Sequence, residues 1–250
     1  MSAWSNSTAR AFCMFKRPHH QRIQRLLKAF DGDLLRRANC YFAGGTAIVL
    51  ALEEYRESID VDFLCADRDG YRLLRSALAL PTLGSLVTVP LRYRRDVRTD
   101  RDKISTYVEV EDIAIKVEIV LEARIELIGE FDINLGVPVL SREDLYAEKL
   151  LATADRGLDR SVLSRDLIDL GMMIRAWGPI PPAAWEKATG AYGKAASDAF
   201  DKSRALLNSP AYLAECMRGM SMDPALAGDL RHALQLTENN LDHEVEGPRP

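Results

Sequence analysis

Cysteine and histidine are scarce in this sequence, with four of each in 250 residues. Cys13, Cys40, Cys65 and Cys216 form no CxxC pair, which disfavours a disulfide scaffold. The histidines lie outside the region with the clearest motifs, so we expect no zinc site. Isolated cysteines of this kind are typical of small core residues in a reducing cytoplasm.

Long apolar runs are also absent. The longest, residues 47–52, is far shorter than the roughly 20 residues that a membrane-spanning helix needs. The first 20 residues contain no apolar core before a small-residue cleavage site, which disfavours secretion. We therefore expect a cytoplasmic protein with no membrane partner.

A strong excess of one charge is the third absence. Lysine and arginine number 33 against 37 acidic residues, a net charge of −4, which is a poor fit to a protein that coats nucleic acid. One stretch departs from this balance, because residues 92–103 carry six basic side chains interrupted by Asp96, Asp100 and Asp102. This stretch either guides a phosphate backbone or forms a solvated hairpin.

The composition is otherwise ordinary for a globular protein, with 28% charged and 47% hydrophobic residues. The spacing of the hydrophobic residues along the chain predicts a mixed α+β fold. A helix over residues 18–38 precedes a mixed sheet with flanking helices. The predicted strands cover residues 40–43, 59–65, 104–110 and 113–121. After Pro138 the pattern becomes helical, over residues 143–155, 165–177, 182–189, 194–207, 211–217 and 225–236. We place a domain boundary near Val137, which separates residues 1–137 from a C-terminal helical domain of residues 138–250.

The most informative segment is residues 41–67, which opens with a glycine pair between a strand and a helix. Gly44 and Gly45 permit a turn with positive φ and carry no Cβ that would keep a phosphate away. Thr46 opens the helix, and its hydroxyl and the unpaired amides of the first turn would face an anion. The segment therefore predicts a phosphate cradle, although a plain strand-to-helix turn would have the same sequence.

Two carboxylates stand on the strand that follows this helix. Side chains alternate along a strand, so Asp60 and Asp62 share one face while Val61 and Phe63 point into the core. Two acids this close repel each other unless a cation lies between them. Oxygen ligands of this kind favour magnesium, which protein carboxylates and substrate phosphates hold together.

A third acid would complete such a site. Glu118 is the first candidate, because it lies in a long alternating run over residues 115–119. Glu109 is the second, on a shorter run. A solvent-facing position on an edge strand would also explain Glu118.

The order of these motifs resembles the AbiEii/AbiGii nucleotidyltransferase toxin family, within the polymerase-β-like nucleotidyltransferase superfamily. The matching residues are the GGT turn, the R-x-S-x-D-x-D-F pattern at residues 56–63, Lys149, and SRDLIDL at residues 164–170. Taken together and in this order, these motifs are fairly specific. They extend over residues 41–170.

The resemblance implies the fold of that superfamily and the transfer of a nucleoside monophosphate from an NTP to a hydroxyl, with release of pyrophosphate. Gly44, Gly45 and Thr46 would hold the triphosphate, while Asp60 and Asp62 would hold one or two magnesium ions. The resemblance further implies that Glu118 shares a metal and draws the proton from the attacking hydroxyl.

The resemblance also assigns residues of the helical half. Lys149 would neutralise the triphosphate, and Asp166 would orient Lys149 or the metal site, with Asp169 a further partner. The simpler alternatives are a surface lysine on a helix capped by Ser141, and an Asp166 that caps its own helix.

Three functions follow for comparison with the structure. The first is a magnesium-dependent nucleotidyltransferase, with RNA (tRNA) or protein as acceptor, that acts as the toxin of a pair with a cognate antitoxin. The second is a catalytically quiet module that binds nucleotide or a partner protein. The third is transfer to a small hydroxylated molecule of the aminoglycoside kind.

Overall fold

The computed structural model of the chain describes residues 14–237. The chain divides into two compact units, Met1–Leu145 and Tyr146–Pro250. The predicted boundary near Val137 stays a prediction.

The first unit is built on a mixed sheet of seven strands within the described residues. The strands are β1 (Cys40–Ala43), β2 (Val61–Cys65), β3 (Arg92–Thr99), β4 (Lys103–Val110), β5 (Ile113–Leu121), β6 (Gly129–Asp132) and β7 (Val137–Leu140). Their spatial order is β3-β4-β5-β2-β1-β7-β6. Two neighbouring pairs, β2 with β5 and β1 with β7, are parallel, and the others are antiparallel.

Four helices accompany the sheet in the described part of the first unit: α1 (Pro18–Leu27), α2 (Gly32–Arg37), α3 (Gly44–Ala51) and α4 (Arg68–Ser76). The single helix predicted over residues 18–38 is therefore wrong in one respect, because it is two helices. The first helix ends at Leu27, and the second begins after Asp31, whose backbone is extended and whose carboxylate accepts a hydrogen bond of 2.9 Å from the Leu34 amide. Asp31 is thus the N-cap of α2.

The sheet has one buried face and one partly exposed face. On β5, Ile115, Val117 and Ile119 are at most 1% exposed, whereas Lys116 and Glu118 between them are partly exposed. This alternation is what the period of a strand dictates, and it leaves the second face open for polar side chains.

Three strands differ from the sequence-based expectation. The basic stretch forms the edge strand β3, which was not predicted as a strand, and the turn into β4. Because β3 pairs antiparallel with β4, the stretch is part of a hairpin, which fits the predicted alternative of a solvated hairpin. Strands β6 and β7 were not predicted at all. Each has only four residues, and β7 contains Pro138, so neither shows a readable alternation.

The second unit is helical in its described part. Its helices are α5 (Arg142–Arg156), which begins just before the division, α6 (Arg165–Trp177), α7 (Pro182–Tyr192), α8 (Lys194–Leu207), α9 (Pro210–Gly219) and α10 (Ala227–Ala233). Ser141 caps α5 as predicted, because its hydroxyl accepts a hydrogen bond of 3.1 Å from the Asp144 amide. The mixed sheet followed by helices confirms the predicted α+β fold class.

Among residues 14–237, no helix is both long enough and apolar enough to cross a lipid bilayer. Cys40, Cys65 and Cys216 are buried free thiols, as expected of core residues. Cys13 and the N-terminal stretch on which the expectation about secretion depends lie outside the described residues.

Candidate functional site

The glycine turn joins the end of β1 directly to α3. The helix begins at Gly44, with φ of +71°, and not at Thr46 as predicted. Ala43, the residue before the helix, provides no side-chain hydrogen bond to the first turn. Backbone amides of the first turn have no partner within their own helix, so this end of α3 is suited to an anion.

The carboxylate of Asp62 lies against this turn. A Cβ added at Gly44 would stand 2.8 Å from Asp62 Oδ2 and 3.1 Å from Asp62 Cβ, both tighter than ordinary contact. The positive φ and this close approach together require glycine at position 44. The turn and the carboxylate are therefore neighbours in one site.

The hydroxyl of Thr46 faces the protein. Thr46 is 1% exposed, and its Oγ1 donates a hydrogen bond of 2.6 Å to the carbonyl oxygen of Asp60. The same hydroxyl lies 2.8 Å from Ser58 Oγ. Thr46 thus joins α3 to the segment that leads into β2. Its hydroxyl does not face an anion as predicted, so the donors that remain for an anion at this turn are backbone amides.

Strand register brings Glu118 beside Asp62. The two residues are directly paired between the parallel strands β2 and β5, so their side chains share one face of the sheet. Asp60 and Asp62 are both partly exposed. Strand β5 lies between β4 and β2, so the alternative of Glu118 on an edge strand is wrong.

Two lysines neutralise Glu118. Lys103 forms an ion pair with Oε1, and Lys116 Nζ lies 2.9 Å from Oε2. Burial acts to raise the pKa of Glu118, but the hydrogen bonds and charges of both lysines outweigh it and lower this pKa below its ordinary value. Burial likewise acts to lower the pKa of Lys116, but Glu118, with a further contribution from the charge of Asp60, raises it.

The competing acid, Glu109, occupies a different position. It lies on β4, with β5 between it and β2. Its carboxylate pairs with Arg94 and with Arg92, whose Nη1 is 2.8 Å from Oε1. Of the two candidates, Glu118 is the one whose strand adjoins that of Asp62.

A magnesium ion fits part of this donor set. Among the described residues, no three histidine, cysteine, aspartate or glutamate side chains form a group that could hold a metal. Magnesium needs only one or two protein carboxylates when substrate phosphates complete its shell. Asp62 lies against the glycine turn, and Asp60, which precedes β2 and was predicted to lie on it, is two residues before Asp62. That these two carboxylates hold a magnesium ion stays a prediction. Glu118 forms ion pairs with Lys103 and Lys116.

The predicted residues of the helical half form a cluster of their own in the second unit. Lys149 Nζ lies 2.8 Å from Asp166 Oδ1 and 2.7 Å from Asp169 Oδ2, and Arg156 Nε lies 2.7 Å from Asp166 Oδ2. Burial acts to raise the pKa of Asp166, but the charges of Lys149 and Arg156 hold it far below its ordinary value.

This arrangement excludes the simpler alternatives for the two residues. Lys149 is 5% exposed and so is not a surface lysine, and Asp166 is 2% exposed. Asp166 lies inside α6, whose N-cap is Ser164, and its side chain bonds cations and not the helix end. This geometry fits the predicted role of Asp166 in orienting Lys149. A contact of Lys149 with a triphosphate stays a prediction.

The basic strand β3 continues the polar face. Arg98 pairs with Ser105 on β4, and Ser105 pairs with Glu118 on β5, the neighbour of Asp62. With strands about 4.8 Å apart, this row spans roughly 14 Å. The guanidinium of Arg95 lies over the ring of Tyr107, 4.7 Å from its centroid, on the same face.

Sequence reasoning missed two groups around this site, the lysine partners of Glu118 and a buried histidine, His20. Lys116 is two residues before the predicted acid, so on a strand it faces the same side as Glu118, and this spacing was a usable signal. His20 lies in α1 and contacts Glu54 and Ser58, which are 34 and 38 residues away. Nothing local in the sequence indicates those contacts.

Comparison with known proteins gives one family match. A family model described as "Nucleotidyl transferase AbiEii toxin, Type IV TA system" matches residues 25–241. In a search of curated proteins, nothing matches.

Among solved structures, a candidate nucleotidyltransferase from H. pylori is similar at 17% identity and a TM-score of 0.47, covering 89% of this chain and 95% of its own. JHP933 from Helicobacter pylori has 17% identity and a TM-score of 0.45, covering 89% and 92%. An antigenic nucleotidyltransferase-like protein from Paracoccidioides brasiliensis has 15% identity and a TM-score of 0.43, covering 86% and 93%.

Proposed function

The chain belongs to the AbiEii family of nucleotidyl transferase toxins of Type IV toxin–antitoxin systems, and from that premise we propose that it transfers a nucleoside monophosphate from an NTP to a hydroxyl of RNA. Membership of this family implies a nucleotidyltransferase activity. The proposal adds the donor, the acceptor class, the magnesium requirement and the residues. It also includes a cognate antitoxin as the partner.

One observation carries the proposal. The Asp62 carboxylate lies against the bare Gly44 turn, and its strand neighbour is Glu118. Backbone amides that can bind an anion therefore lie close to carboxylates that can bind a cation. A site for a metal–triphosphate requires both.

The residues then take the following roles. The amides at Gly44, Gly45 and Thr46 bind the triphosphate, and Asp60 and Asp62 would hold magnesium, which when bound neutralises charge on the phosphates. The acceptor oxygen bonds to the α-phosphorus while the bond from the α-phosphorus to the bridging oxygen breaks, and pyrophosphate leaves. Glu118, kept ionised by Lys103 and Lys116, takes the proton of the acceptor hydroxyl.

The acceptor class follows from the face that leads to the acids. Arg98 and Arg95 are exposed on β3, and the ring of Tyr107 lies beneath Arg95. Cationic side chains with an aromatic ring are suited to a phosphate backbone and a stacked base. This favours RNA over a protein hydroxyl.

The test is a transfer assay. The chain is incubated with each α-labelled NTP in turn, magnesium and total RNA, beside Asp62→Asn and the control Asp69→Asn, which alters a solvent-exposed aspartate on α4. We expect label in RNA with one or more nucleotides, a loss of about a hundredfold or more in Asp62→Asn, and no loss in Asp69→Asn. Equal labelling by both variants would contradict the assignment of Asp62.

A second function has one observation in its favour. Glu118 is paired with two lysines, and the described residues contain no three-ligand metal group. A module that binds nucleotide without transferring it would need no third acid. Titration of a fluorescent NTP separates the two, because binding without label in RNA, protein or small molecules supports the quiet module. Label in the small-molecule fraction alone would support an aminoglycoside-like acceptor.

A further inference from the structure

A buried histidine adjoins the segment that carries the acids. His20 is 0% exposed, its Nδ1 lies 2.8 Å from Glu54 Oε1, and its Nε2 lies 3.2 Å from the amide nitrogen of Ser58. An amide can only donate, so Nε2 must accept, and the ring proton therefore resides on Nδ1 and is donated to Glu54. Burial lowers the pKa of His20, against the opposing effect of Glu54, which favours this neutral form.

The chain of hydrogen bonds continues into the site. Thr46 Oγ1 donates its one proton to the Asp60 carbonyl at 2.6 Å, so Ser58 Oγ, 2.8 Å away, must donate to Thr46. Each bond therefore has a defined direction. Together the bonds connect the ring of His20 to the start of α3 and to the backbone of Asp60.

Glu54 fixes the other side of the ring. Its carboxylate accepts hydrogen bonds from the amides of Lys16, at 2.6 Å, and Arg17, at 2.9 Å, where α1 begins. His19, the neighbour of His20, lies with Nε2 3.0 Å from the carbonyl oxygen of Ile59. The start of α1 is thus held against both ends of the segment from Glu54 to Asp60.

We propose that His20 is a positioning residue for the transfer site. Through Ser58 and Thr46 it holds the backbone of Asp60 at a fixed place relative to the glycine turn. This inference rests on the proposed function for its effect on catalysis, whereas its effect on the order of the segment is independent of that function. The alternative is a histidine that only fills space in the core.

Two variants separate these roles, because each keeps a different half of the contacts. The amide of His20→Gln reaches the position of Nε2 and can accept from Ser58, whereas that of His20→Asn reaches only the position of Nδ1, beside Glu54. A control, Gln24→Leu, removes another buried polar side chain one turn along α1. Melting temperatures of all three report any general loss of stability.

The readouts are the magnesium concentration for half-maximal transfer and the hydrogen exchange of the amides of residues 56–62. In His20→Asn we expect the half-saturating magnesium concentration to rise about 10-fold or more, while His20→Gln stays within a few-fold of the wild type. Amide exchange of this segment should accelerate about tenfold in His20→Asn and not in Gln24→Leu, as local order is lost.

Equal magnesium requirements and equal exchange in the Asn and Gln variants would overturn the proposal and leave His20 a core residue. If the wild-type chain transfers nothing, the proposed function fails by itself. The exchange comparison then still decides whether His20 orders the segment that carries Asp60.

Discussion

The two units each contain a cluster of carboxylates and cations, and the clusters differ in how completely they are enclosed. In the second unit, Lys149 and Arg156 bind Asp166 and Asp169, and both aspartates are at most 2% exposed. In the first unit, Asp62 and Glu118 are partly exposed on one face of the sheet, and Asp60 is partly exposed just before β2. Asp62 lies beside the start of α3. One cluster is closed and the other is open to solvent.

The comparison shows why similar residues need not have similar roles. A buried charge must be paired within the protein, because its desolvation cost is otherwise uncompensated. A partly exposed carboxylate keeps part of its hydration and can exchange water for a metal or a phosphate-bound cation. We therefore expect substitutions in the closed cluster to change mainly stability, and those in the open site to change mainly activity.

The largest effect on stability is expected from Lys149→Met. The substitution removes the cation between two buried carboxylates, so the free energy of unfolding should fall by about 3–5 kcal/mol. Urea unfolding at neutral pH measures this. In the double variant with Asp169→Asn, one of the buried carboxylates left without Lys149 is neutralised, so part of the lost unfolding free energy should return.

The control for this prediction is Lys202→Met, an exposed lysine on α8 in the same unit. Its effect should stay within about 0.5 kcal/mol. A loss in Lys149→Met no larger than that of the control would mean that the closed cluster does not need its cation, and the contrast between the two units would fail.

The sequence predicted the fold well where patterns are long and local. The helices of the second unit and the alternation of β5 depend on periodicity within a single segment, and the structure has them close to the predicted bounds. The failures are of another kind. The start of α2 after the helix break depends on one cap, Asp31. The short strands β6 and β7 are defined by their pairing with each other and by the pairing of β7 with β1.

The site divides in the same way. Gly44, Thr46, Asp60 and Asp62 fall within one strand–turn–helix–strand segment, so the order of residues alone predicts their proximity. The position of Glu118 beside Asp62 depends on a parallel pairing of β2 with β5, across about fifty residues of chain, which no local pattern defines. His20 depends on tertiary contact with Ser58, and the ion pairs of Glu118 depend in part on β4.

Gly44→Ala is expected to have an intermediate effect on stability, and it tests the closeness of the turn to Asp62. The positive φ alone should cost about 1–2 kcal/mol of unfolding free energy. The new methyl would also displace the Asp62 carboxylate, so transfer should fall by about a hundredfold. Urea unfolding and the transfer assay measure the two effects separately.

Gly190→Ala is the matched control, because this helical glycine of α7 has nothing within 4 Å of an added Cβ. Alanine there should stabilise the helix by up to about 1 kcal/mol and leave transfer unchanged. If Gly44→Ala kept full activity, the close approach of turn and carboxylate would have no bearing on catalysis.

The smallest effect on stability is expected from Lys116→Met. Like Lys149→Met, this substitution removes a lysine from an ion pair, but in the open site. The side chain of Lys116 is 32% exposed and Lys103 remains beside Glu118, so unfolding free energy should change by less than about 1 kcal/mol. An exposed lysine of the same unit, Lys28, provides the control substitution Lys28→Met.

The informative change in Lys116→Met is in the pH dependence of transfer. Loss of one cation lets the pKa of Glu118 rise toward its ordinary value, and a base must be ionised to accept a proton. The acid limb of kcat/KM against pH should therefore move to higher pH, while Lys28→Met leaves it in place. Because a lowered carboxylate pKa stabilises the fold only above that pKa, the small stability loss should shrink as the solution is acidified through the folded-state pKa. If the acid limb did not move, Glu118 would not be the base. If the loss of unfolding free energy in Lys116→Met were as large as in Lys149→Met, the open site would be no more tolerant of a lost charge than the closed cluster.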